Sequence, residues 1–572
     1  WQTRRGRLVL LAGTSPVGLR LPLSSISWTL PPGRPEVSRF RELAPLPVDL
    51  TAAEEAHVTP VEDAPTTALC VQERAGHLYV FLPPLEESAD AVELLAVVER
   101  AARAVGVPVV LEGYGPPGDP RTRTLTVTPD PGVIEVNVHP AGSWDELVEI
   151  TETLHRCAQE VGLGAETFTL DGTHTGTGGG NHITIGGATP PDSPLLRRPD
   201  LLVSMLTFWQ HHPSLSYLFS GRFIGPTSQA PRVDEGRHET LYELEIAFAE
   251  LAKLGDDTRP WHVDRALRHL LTDITGNTHR SEFCVDKLFS PDSERGRLGL
   301  LELRGFEMPP HPDMALVQGL LVRALVARFW EAPYTGKLVR WGTRLHDSFL
   351  LPAFVGADIA EVVDDLREHG IAFEAAWLDP FLEFRFPRLG SVDVAGLTIE
   401  LRSAIEPWHV LGEEMRSGGV ARYVDSSVER VQVAVTGTLG DRYAVTCNGV
   451  PVQLHPAGTG EELVAGVRYR AWAPPSALHP TIGVHSPLVF DLVDRWNDRS
   501  VGGCTYHVVH PGGRHYDSYP VNAKEAEARR GARFTPYGHS PGPVDPSLWS
   551  TATGADGEYP RTLDLRRSAA IG

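Results

Sequence analysis

A glycine-rich segment, residues 172–187, constrains the fold of this chain more than any other feature of the sequence. It holds seven glycines and two histidines in sixteen residues, and its last part alternates like a β-strand. Glycine permits positive φ and lets a ligand approach backbone N–H groups closely. A flexible linker is the alternative interpretation, but such linkers are serine-rich and polar on both sides. Because a helical pattern precedes the run and a strand pattern follows it, we expect a ligand-binding turn, with His182 at the start of the strand.

Composition and charge narrow the class of protein. The chain has 572 residues and a net charge of −21, which argues against nonspecific nucleic-acid binding. No run of eighteen apolar residues occurs, so we expect no membrane span. Five cysteines without a CxxC pair are typical of buried, inert thiols in the reducing cytoplasm, where we expect the protein to reside. The chain starts at Trp1 without an initiator methionine, so we expect further sequence to precede it.

Periodicity divides the chain into segments of different character. We predict an extended Pro-rich segment over 1–67, an α/β region over 68–345 and an α/β extension over 346–427. Short alternating strands from residue 428 predict a β-rich module over 428–541. The polar remainder, 542–572, is predicted to be a flexible tail.

The element pattern within these segments is mixed. The patterns predict helices over 88–105, 144–161, 199–210, 241–254, 261–271, 314–330 and 358–369. They predict strands over 68–71, 78–82, 109–111, 123–128, 133–138 and 298–307, and a hairpin turn near Gly390. Ser143 is the predicted N-cap of the second helix. The long loop over 220–235 is expected to be functional.

Charged residues recur on single faces of the predicted strands, because residues i and i+2 share a face. We expect these strands to form one sheet with a concave, charged surface. Carboxylates on such a face repel one another unless cations lie between them, and Mg²⁺ or Mn²⁺ is the natural cation. Arg280 and Arg304 are the best candidates for binding phosphate oxygens. The clusters comprise Glu112, Glu135 with Asn137, Asn181 with His182, and Glu302 with Arg304.

The order of these clusters resembles the glutamine synthetase and glutamate–cysteine ligase superfamily of carboxylate–amine ligases over about 108–330. The resemblance is closer to the putative amidoligase family, which often lies beside transglutaminase-like domains in bacteria, and it extends from about Gly6 to Gly542. The motifs that carry it are DGTHTGTGGGNH (171–182), LFSGRFIGPTSQAPRVD (218–234), GNTHR (276–280) and ELRGFEMP (302–309).

The resemblance implies an α+β fold, with a glutamine synthetase-like catalytic domain over 68–345 built on a curved antiparallel sheet with flanking helices. It also implies an ATP- and Mg²⁺- (or Mn²⁺-) dependent ligase that joins a carboxylate to an amine of small molecules or peptides through an acyl phosphate. A transglutaminase-like domain is the implied neighbour in a longer chain. Neither nucleic acid nor a membrane is an expected partner.

The resemblance also implies roles for individual residues. The implied metal ligands are Glu112, Glu135, His182 and Glu302. The implied nucleotide-binding residues are Gly178, Gly179, Gly180, Asn181, Arg280 and Arg304. Arg280, Arg304, His182 and Glu307 are the implied catalytic residues, and Arg222 and Arg232 are the implied clamp on a substrate carboxylate. The first strand carries one acid where glutamine synthetases have a pair, so the number of metal ions stays open.

Several alternatives remain open from the sequence. The base that deprotonates the amine is Glu307, Glu235 or Asp234, and the loop over 220–235 is the candidate lid that shields the acyl phosphate from water. A phosphotransferase acting on a guanidine would use the same charged face without a second step. A noncatalytic peptide- or sugar-binding protein would instead use the β-rich module.

Overall fold

The computed structural model describes residues 69–567, except 120, 131, 227, 238, 256–257, 294–295, 417–418, 459, 509–515, 541 and 548–556. The predicted extended segment 1–67 lies outside these described residues. The described chain divides into two compact units. The first contains 69–126 and Asn137–Pro140, and the second contains Val127–Val136 and the residues from Ala141 onward. No helix in the described part of the chain has the length and apolar character needed to cross a membrane.

The first unit is a small βαβ arrangement. Its elements are β1 (Cys70–Arg74), β2 (His77–Leu82), α1 (Ser88–Val105) and β3 (Val109–Gly113). β1 pairs antiparallel with β2, and β2 pairs parallel with β3 across the helix. The helix ends at Gly106, whose φ of 65° is in the left-handed region that glycine tolerates without strain. The prediction for 88–105 is therefore confirmed at both ends.

The second unit holds most of a hairpin and all the remaining elements. The hairpin strands are β4 (Thr126–Asp130) and β5 (Val133–Asn137). The helices are α2 (Trp144–Glu160), α3 (Pro194–Arg197), α4 (Pro199–His211), α5 (Ser214–Tyr217), α6 (Thr240–Leu254), α7 (Pro260–Leu267), α8 (Pro312–Glu331), α9 (Arg344–Ser348), α10 (Pro352–Glu368), α11 (Asp379–Arg385) and α12 (Ala523–Gly531).

The strands after the hairpin are short at first and longer towards the C-terminus. They are β6 (Thr167–Phe168), β7 (His174–Thr175), β8 (Ile183–Ile185), β9 (Phe283–Cys284), β10 (Leu301–Leu303), β11 (Arg388–Val394), β12 (Leu397–Ala404), β13 (Val410–Arg416), β14 (Gly419–Val424), β15 (Val428–Thr436), β16 (Tyr443–Cys447), β17 (Val450–Pro451), β18 (His455–Pro456), β19 (Glu462–Arg470), β20 (Leu488–Asp494), β21 (Arg499–Tyr506), β22 (Phe534–Thr535) and β23 (Thr562–Asp564).

A helical core forms around α4, α8 and α10. In α4, nine of thirteen residues are buried, which is the pattern of an interior helix rather than an amphipathic surface helix. Phe208 of α4 packs edge-on against Phe329 of α8, with ring centroids 5.2 Å apart. The N-cap prediction is confirmed, because Ser143 Oγ accepts a hydrogen bond from the N–H of Glu146 (3.2 Å) at the start of α2.

The expectation of one sheet carrying all the acidic clusters is wrong for the described strands. Glu112 lies on β3, Glu135 on the β4–β5 hairpin, and Glu302 on β10 of a separate three-stranded sheet of order β8–β10–β9. The strand predicted over 298–307 is regular only over Leu301–Leu303, because the next backbone donors bond elsewhere: Arg304 N–H donates to the carbonyl of Glu282. The class is nevertheless α+β, with open and mostly antiparallel sheets.

The C-terminal half forms a β-sandwich. One sheet has the order β11–β12–β15–β19–β18, the other β17–β16–β20–β21–β22, and their apolar residues share one buried cluster. The β-rich region therefore begins at Arg388 rather than at 428, because β11 and β12 belong to the first sheet. The turn predicted near Gly390 is at Ala395–Gly396, and Gly390 lies within β11, where the Phe534 ring occupies the space of a side chain.

The segment predicted to be a flexible tail contributes a strand to this sandwich. β23 pairs parallel with β19. Thr562 and Leu565 are 6% and 3% exposed, so this stretch is part of the core. The prediction of a flexible tail relied on the polar composition of the segment, which does not reveal that Thr562 and Leu565 are buried.

The cysteines follow the prediction only in part. Cys284, Cys447 and Cys504 are buried, as expected of inert thiols, and burial raises their pKa. Cys157 is exposed on α2, so the expectation of burial is wrong for that residue.

Candidate functional site

The glycine-rich segment is held in place by backbone and side-chain hydrogen bonds at both ends. Arg530 of α12 donates to the carbonyl of Gly172 (2.6 Å). Further along, the N–H of Met308 donates to the carbonyl of Gly179 (3.0 Å). The segment is therefore fixed between the C-terminal helix and the chain that follows β10, and it is not a free linker.

The second half of the segment offers unpaired backbone donors. The N–H of Asn181 donates to Phe306 O (2.8 Å) and its side-chain amide donates to Gln318 (2.7 Å), so Asn181 is engaged within the protein. Among the described residues, no acceptor is found for the N–H of Gly178 or Gly180. Such donors are what an anion bound at a glycine-rich turn requires.

Glu302, on the central strand β10, is the best-defined charged centre of the second unit. Its side chain is 5% exposed, and Oε1 accepts a hydrogen bond from Arg304 (2.8 Å). The Lys287 ammonium lies 2.9 Å from Oε2, and His182 Nδ1 lies 3.5 Å from Oε1. Gly180 makes room for this arrangement, because a Cβ there would lie 2.4 Å from His182 Nε2. The sequence-predicted trio of His182, Glu302 and Arg304 thus converges, joined by Lys287.

The electrostatics of this centre favour an anion over a cation. Burial alone raises the pKa of Glu302, but contacts with His182, Lys287 and Arg304 outweigh it and hold the pKa well below its usual range. One carboxylate is therefore matched by two permanent cations. Like-charge repulsion opposes direct binding of Mg²⁺ to Glu302 in this arrangement, whereas the surplus positive charge suits phosphate oxygens.

Glu307 forms a second centre beside the glycine-rich segment. A Cβ at Gly176 would lie 2.8 Å from Glu307 Oε1, and one at Gly221 would lie 3.6 Å from it, so the carboxylate sits between two glycines. Within the described residues its carboxylate has no hydrogen bond or ion pair. Burial raises the pKa of Glu307, and the more distant charges of Arg385 and Arg222 offset only part of that rise.

Arg385, at the C-terminal end of α11, fixes the backbone beside Glu307. Its guanidinium donates to the carbonyls of Tyr217 (3.2 Å) and Gly221 (2.6 Å) and to Ser220 Oγ (3.2 Å). Loss of solvation on burial lowers the pKa of Arg385 to about 10, and the guanidinium remains positively charged at neutral pH. The start of the long loop is thus held by a cation that also faces Glu307.

Arg222, on the same loop, is exposed and remains available to a ligand. Its guanidinium lies 5.8 Å from the centre of the Trp408 ring, and Phe223 packs edge-on against the same tryptophan at 5.7 Å. An exposed guanidinium beside an aromatic ring, near the half-buried Glu307 carboxylate, can bind a planar carboxylate. The substrate-binding role that the resemblance implied for Arg222 stays a prediction.

Arg232, unlike Arg222, is buried inside the protein. Its side chain is therefore not placed to clamp a substrate carboxylate, the role that the resemblance implied. It is 2% exposed and pairs with Asp234 at 2.9 Å. It also donates to Ser216 Oγ (2.8 Å) and to the carbonyls of Trp209 (3.2 Å) and Gln210 (3.1 Å). Its donors are used inside the protein, so Arg232 fixes the loop rather than binding a ligand.

The hydrogen bonds around Arg232 also engage Glu235 and Asp234, two of the three candidate bases. Glu235 accepts hydrogen bonds from Tyr217 (2.5 Å) and His346 (2.8 Å), and its side chain is only 3% exposed. Asp234 accepts one from Gln210 (3.1 Å) besides its pair with Arg232. Neither carboxylate faces open space, which leaves Glu307 as the candidate with an unengaged carboxylate.

Arg280 contacts acidic residues other than Glu302. Its guanidinium lies 3.4 Å from Glu413 of β13 and 3.7 Å from Asp273, whose other oxygen accepts two backbone N–H groups of the following turn. The structure thus places Arg280 in a separate ion-pair group, and its predicted contact with nucleotide phosphate stays a prediction.

Glu135 of β5 is exposed and faces the glycine-rich segment. A Cβ at Gly179 would lie 3.7 Å from Val133, two residues before Glu135 on the same strand. Because residues i and i+2 share a face of a strand, the Glu135 carboxylate is on the side of β5 turned towards the segment. No hydrogen bond or ion pair of this carboxylate occurs within the described residues.

Glu112 belongs to the first unit and pairs with Arg74 across β2. The two side chains approach to 2.5 Å, and the Arg74 guanidinium also stacks on the ring of Tyr79, 3.7 Å from its centre. The carboxylate is therefore already neutralised by a permanent cation. Its predicted role as a metal ligand stays a prediction.

Comparison with known proteins identifies the family. A family model described as "putative amidoligase enzyme" matches residues 1–566, nearly the whole chain. The chain belongs to this amidoligase family. Neither the curated proteins nor the solved structures yielded a match. Family membership accounts for the motifs, and it supports an enzyme of the ligase type.

Two residues at the site of this amidoligase escaped the sequence analysis, Lys287 and Arg385. Lys287 is one of only four lysines, in a chain that otherwise uses arginine for its basic residues. That rarity was an available signal, since a surface cation would be expected to be arginine here. Arg385 gave no signal, because it reaches Glu307 only through tertiary packing of α11.

Proposed function

We propose that this protein is an ATP-dependent ligase that forms an amide bond between a carboxylate and an amine through an acyl phosphate. The observation that carries the proposal is the position of the glycine-rich segment, which contacts both a cationic centre and an unengaged carboxylate. His182 on the segment contacts Glu302, and Gly176 contacts Glu307. Family membership gives independent support for the ligase class.

The cationic centre is suited to nucleotide phosphates. Lys287 and Arg304 carry permanent charges, are partly exposed and are oriented by Glu302. The unpaired N–H groups of Gly178 and Gly180 lie on the adjoining segment. These groups together offer what a transferring phosphoryl group needs, namely positioned cations and backbone donors.

Glu307 is the proposed base that takes the proton from the attacking amine. Burial raises its pKa towards neutral pH, where a base is most effective, and the carboxylate is unengaged in the described structure. Arg222, beside Trp408, is the residue we propose to hold the substrate carboxylate. A carboxylate held there and an amine beside Glu307 would meet at the acyl phosphate, which supplies proximity.

The residues fit Mg²⁺ that arrives with the nucleotide better than a permanently bound ion. Glu302 is matched by cations, while Glu135 is exposed and unengaged within the described residues. When bound, the metal would neutralise the negative charge that develops on the phosphate oxygens. Glu135 is the acid we propose to hold it, since carboxylate oxygens are its preferred ligands.

The test is nucleotide binding by calorimetry with Mg²⁺, followed by incubation with pooled carboxylates and amines. The expected products are ADP, phosphate and an amide. Replacing Lys287 by Met should weaken ATP binding by about 10–100-fold, because a charge-assisted hydrogen bond contributes roughly 1.5–3 kcal/mol. Lys337→Met is the matched control, since Lys337 is an exposed lysine remote in sequence from the site.

The outcomes separate the possibilities. Absence of ATP binding by the intact chain would refute a nucleotide-dependent ligase and would favour the binding-protein alternative. ATP binding unaffected in Lys287→Met would refute the phosphate site. A stable phosphorylated guanidine in place of an amide would establish the phosphotransferase alternative.

A further inference from the structure

Three ligand-type side chains outside the proposed site converge next to β9. His279 Nδ1 lies 3.2 Å from Asp286 Oδ2 and 3.6 Å from Cys284 Sγ. All three ligand atoms lie within 4.8 Å of one another. Neither the sequence nor the family resemblance gave this group a role.

The separations match the edges of a tetrahedral zinc site. Zinc bonds of about 2.0–2.1 Å to nitrogen, 2.0–2.2 Å to oxygen and 2.3 Å to sulfur, at tetrahedral angles, place nitrogen about 3.3–3.4 Å from oxygen and about 3.6 Å from sulfur. The observed distances agree with both values to within about 0.2 Å. A mixed nitrogen, sulfur and oxygen set is also the ligand chemistry that zinc accepts and Mg²⁺ does not.

A catalytic cysteine triad does not account for the same geometry. In such a triad the cysteine and the acid contact different nitrogens of the histidine, so that the ring passes a proton between them. Here Cys284 and Asp286 both face Nδ1 of His279. The thiol is also fully buried, at 0% exposure, where no substrate would reach it.

The backbone and the neighbouring residues hold the three groups in this arrangement. The N–H of His279 donates to the Asn277 side chain (2.9 Å) in a tight turn, and Thr278 Oγ1 donates to Asp286 Oδ2 (2.9 Å). Cys284 is the last residue of β9, and Asp286 begins the turn that follows it, two residues further on. Hydrogen bonds to a metal-binding carboxylate of this kind orient ligands in known sites.

An unsatisfied oxygen points to a missing partner. Asp286 Oδ1 is buried and accepts no hydrogen bond from the described residues. The nearest cation, Arg268, is 3.7 Å away and directs its hydrogen bonds to Asp264 instead. The negative charge of the carboxylate is therefore only partly satisfied by hydrogen bonds, and a cation bound at Oδ2, the oxygen that faces His279, would offset it.

We propose that His279, Cys284 and Asp286 form a zinc-binding site whose fourth position is open to solvent. His279 is 58% exposed on its side chain, so an ion and a water ligand have access from outside. Three protein ligands with an open fourth position are the arrangement of catalytic or ligand-exchanging zinc sites rather than closed structural ones. The proposal does not rest on the ligase reaction, although Cys284 lies directly opposite Glu302 on the paired strands β9 and β10.

The test uses Co²⁺ as a spectroscopic substitute for zinc on the chelator-treated full chain. We expect one Co²⁺ per chain with a thiolate-to-cobalt charge-transfer band, and displacement of that band by Zn²⁺. His279→Ala and Cys284→Ala should abolish the band. His279 is exposed, so its replacement leaves folding intact and keeps the test valid if the buried Cys284 variant fails to fold.

The controls are the other cysteines. Cys157→Ser should keep the band, which excludes binding by the exposed thiol, and Cys504→Ala should keep it because that buried thiol belongs to no metal-type group of the described residues. The second such group, His212 with Asp358 and Glu361, has no sulfur and cannot produce the band. A band that survives in His279→Ala, or its absence in the intact chain, overturns the proposal.

Discussion

Glu307 is the residue on which the proposed chemistry depends most directly. Glu307→Gln preserves size but cannot accept the amine proton, so amide formation should fall by about 10²–10⁴-fold. ATP binding should be unchanged, because Lys287 and Arg304 are untouched. The decisive measurement is the reaction rate as a function of pH. The intact chain should lose activity at acidic pH as Glu307 is protonated, and the rate of the variant should not show this decrease. A variant with the same rate and profile as the intact chain would exclude Glu307 as the base.

A second carboxylate, Glu282, should dominate the pH dependence of stability. It is 5% exposed, and burial raises its pKa to about 7, against opposing effects of Arg232 and Ser216. An acid whose pKa is raised by folding stabilises the protein below its ordinary pKa, and that contribution is lost as pH rises through about 7. The free energy of unfolding should therefore fall by on the order of 2–3 kcal/mol between about pH 4.5 and 7.

Chemical denaturation at several pH values tests this expectation. Glu282→Gln should flatten the decline and be more stable than the intact chain at about pH 8. Glu331→Gln, at the exposed end of α8, is the matched control and should keep the decline. An unchanged slope in Glu282→Gln would assign the pH dependence to another group.

At the same scale, the candidate site was predictable only where local pattern sufficed. Strand alternation placed Glu302 and Arg304 on one face, and the hydrogen bond between them confirms that inference. His182 was found because it follows the glycines. Lys287 and Arg385 were not found, and the burial of Arg232 was not foreseen. Burial and ion pairing depend on residues far away in sequence.

Among the elements, α12 has the least expected role, since it tethers the glycine-rich segment from the far end of the chain. Arg530→Ala removes the hydrogen bond to Gly172 and should loosen the segment, while stability changes by about 1–3 kcal/mol. Backbone hydrogen exchange over residues 172–180 should become faster. Lys524→Ala, on the exposed face of the same helix, is the control and should leave exchange unchanged. Equal exchange in the two variants would show that the helix does not restrain the segment.

Helices were predicted better than strands for a physical reason. A helix satisfies its backbone within one segment, so caps and periodicity define it, as at Ser143 and Gly106. A strand is defined by partners elsewhere, so the short strands β8 to β10 and the hairpin turn at Gly396 depended on tertiary pairing. The turn predicted near Gly390 was misplaced because the glycine there leaves room for the Phe534 ring and does not turn the chain.

At the scale of the whole molecule, the β-sandwich and the helical core are joined by buried charge. Arg430 of β15 is fully buried, pairs with Glu406 (2.7 Å) and donates to the carbonyl of His346 (2.7 Å) at the helical core. Removing one partner of a buried ion pair leaves an uncompensated buried charge, so these contacts tie the sandwich to the helical core. The sandwich is therefore an integral part of the second unit, which explains why the family match continues through it to residue 566.

The C-terminal strand β23 allows a test of whether the polar end of the chain is part of this fold. Arg561 N–H and Thr562 Oγ1 donate to the two oxygens of Asp347, which is 0% exposed, and Leu565 fills the sandwich core. Ending the chain after residue 556 would leave that buried carboxylate without these donors and remove an apolar contact. The loss should be about 3–5 kcal/mol, and the melting temperature should fall by about 3–6 °C, because the shift per kcal/mol becomes smaller as the folded unit becomes larger. Ending it after residue 567 keeps β23 and should melt like the intact chain, and equal melting of the two truncations would show that β23 contributes no stability.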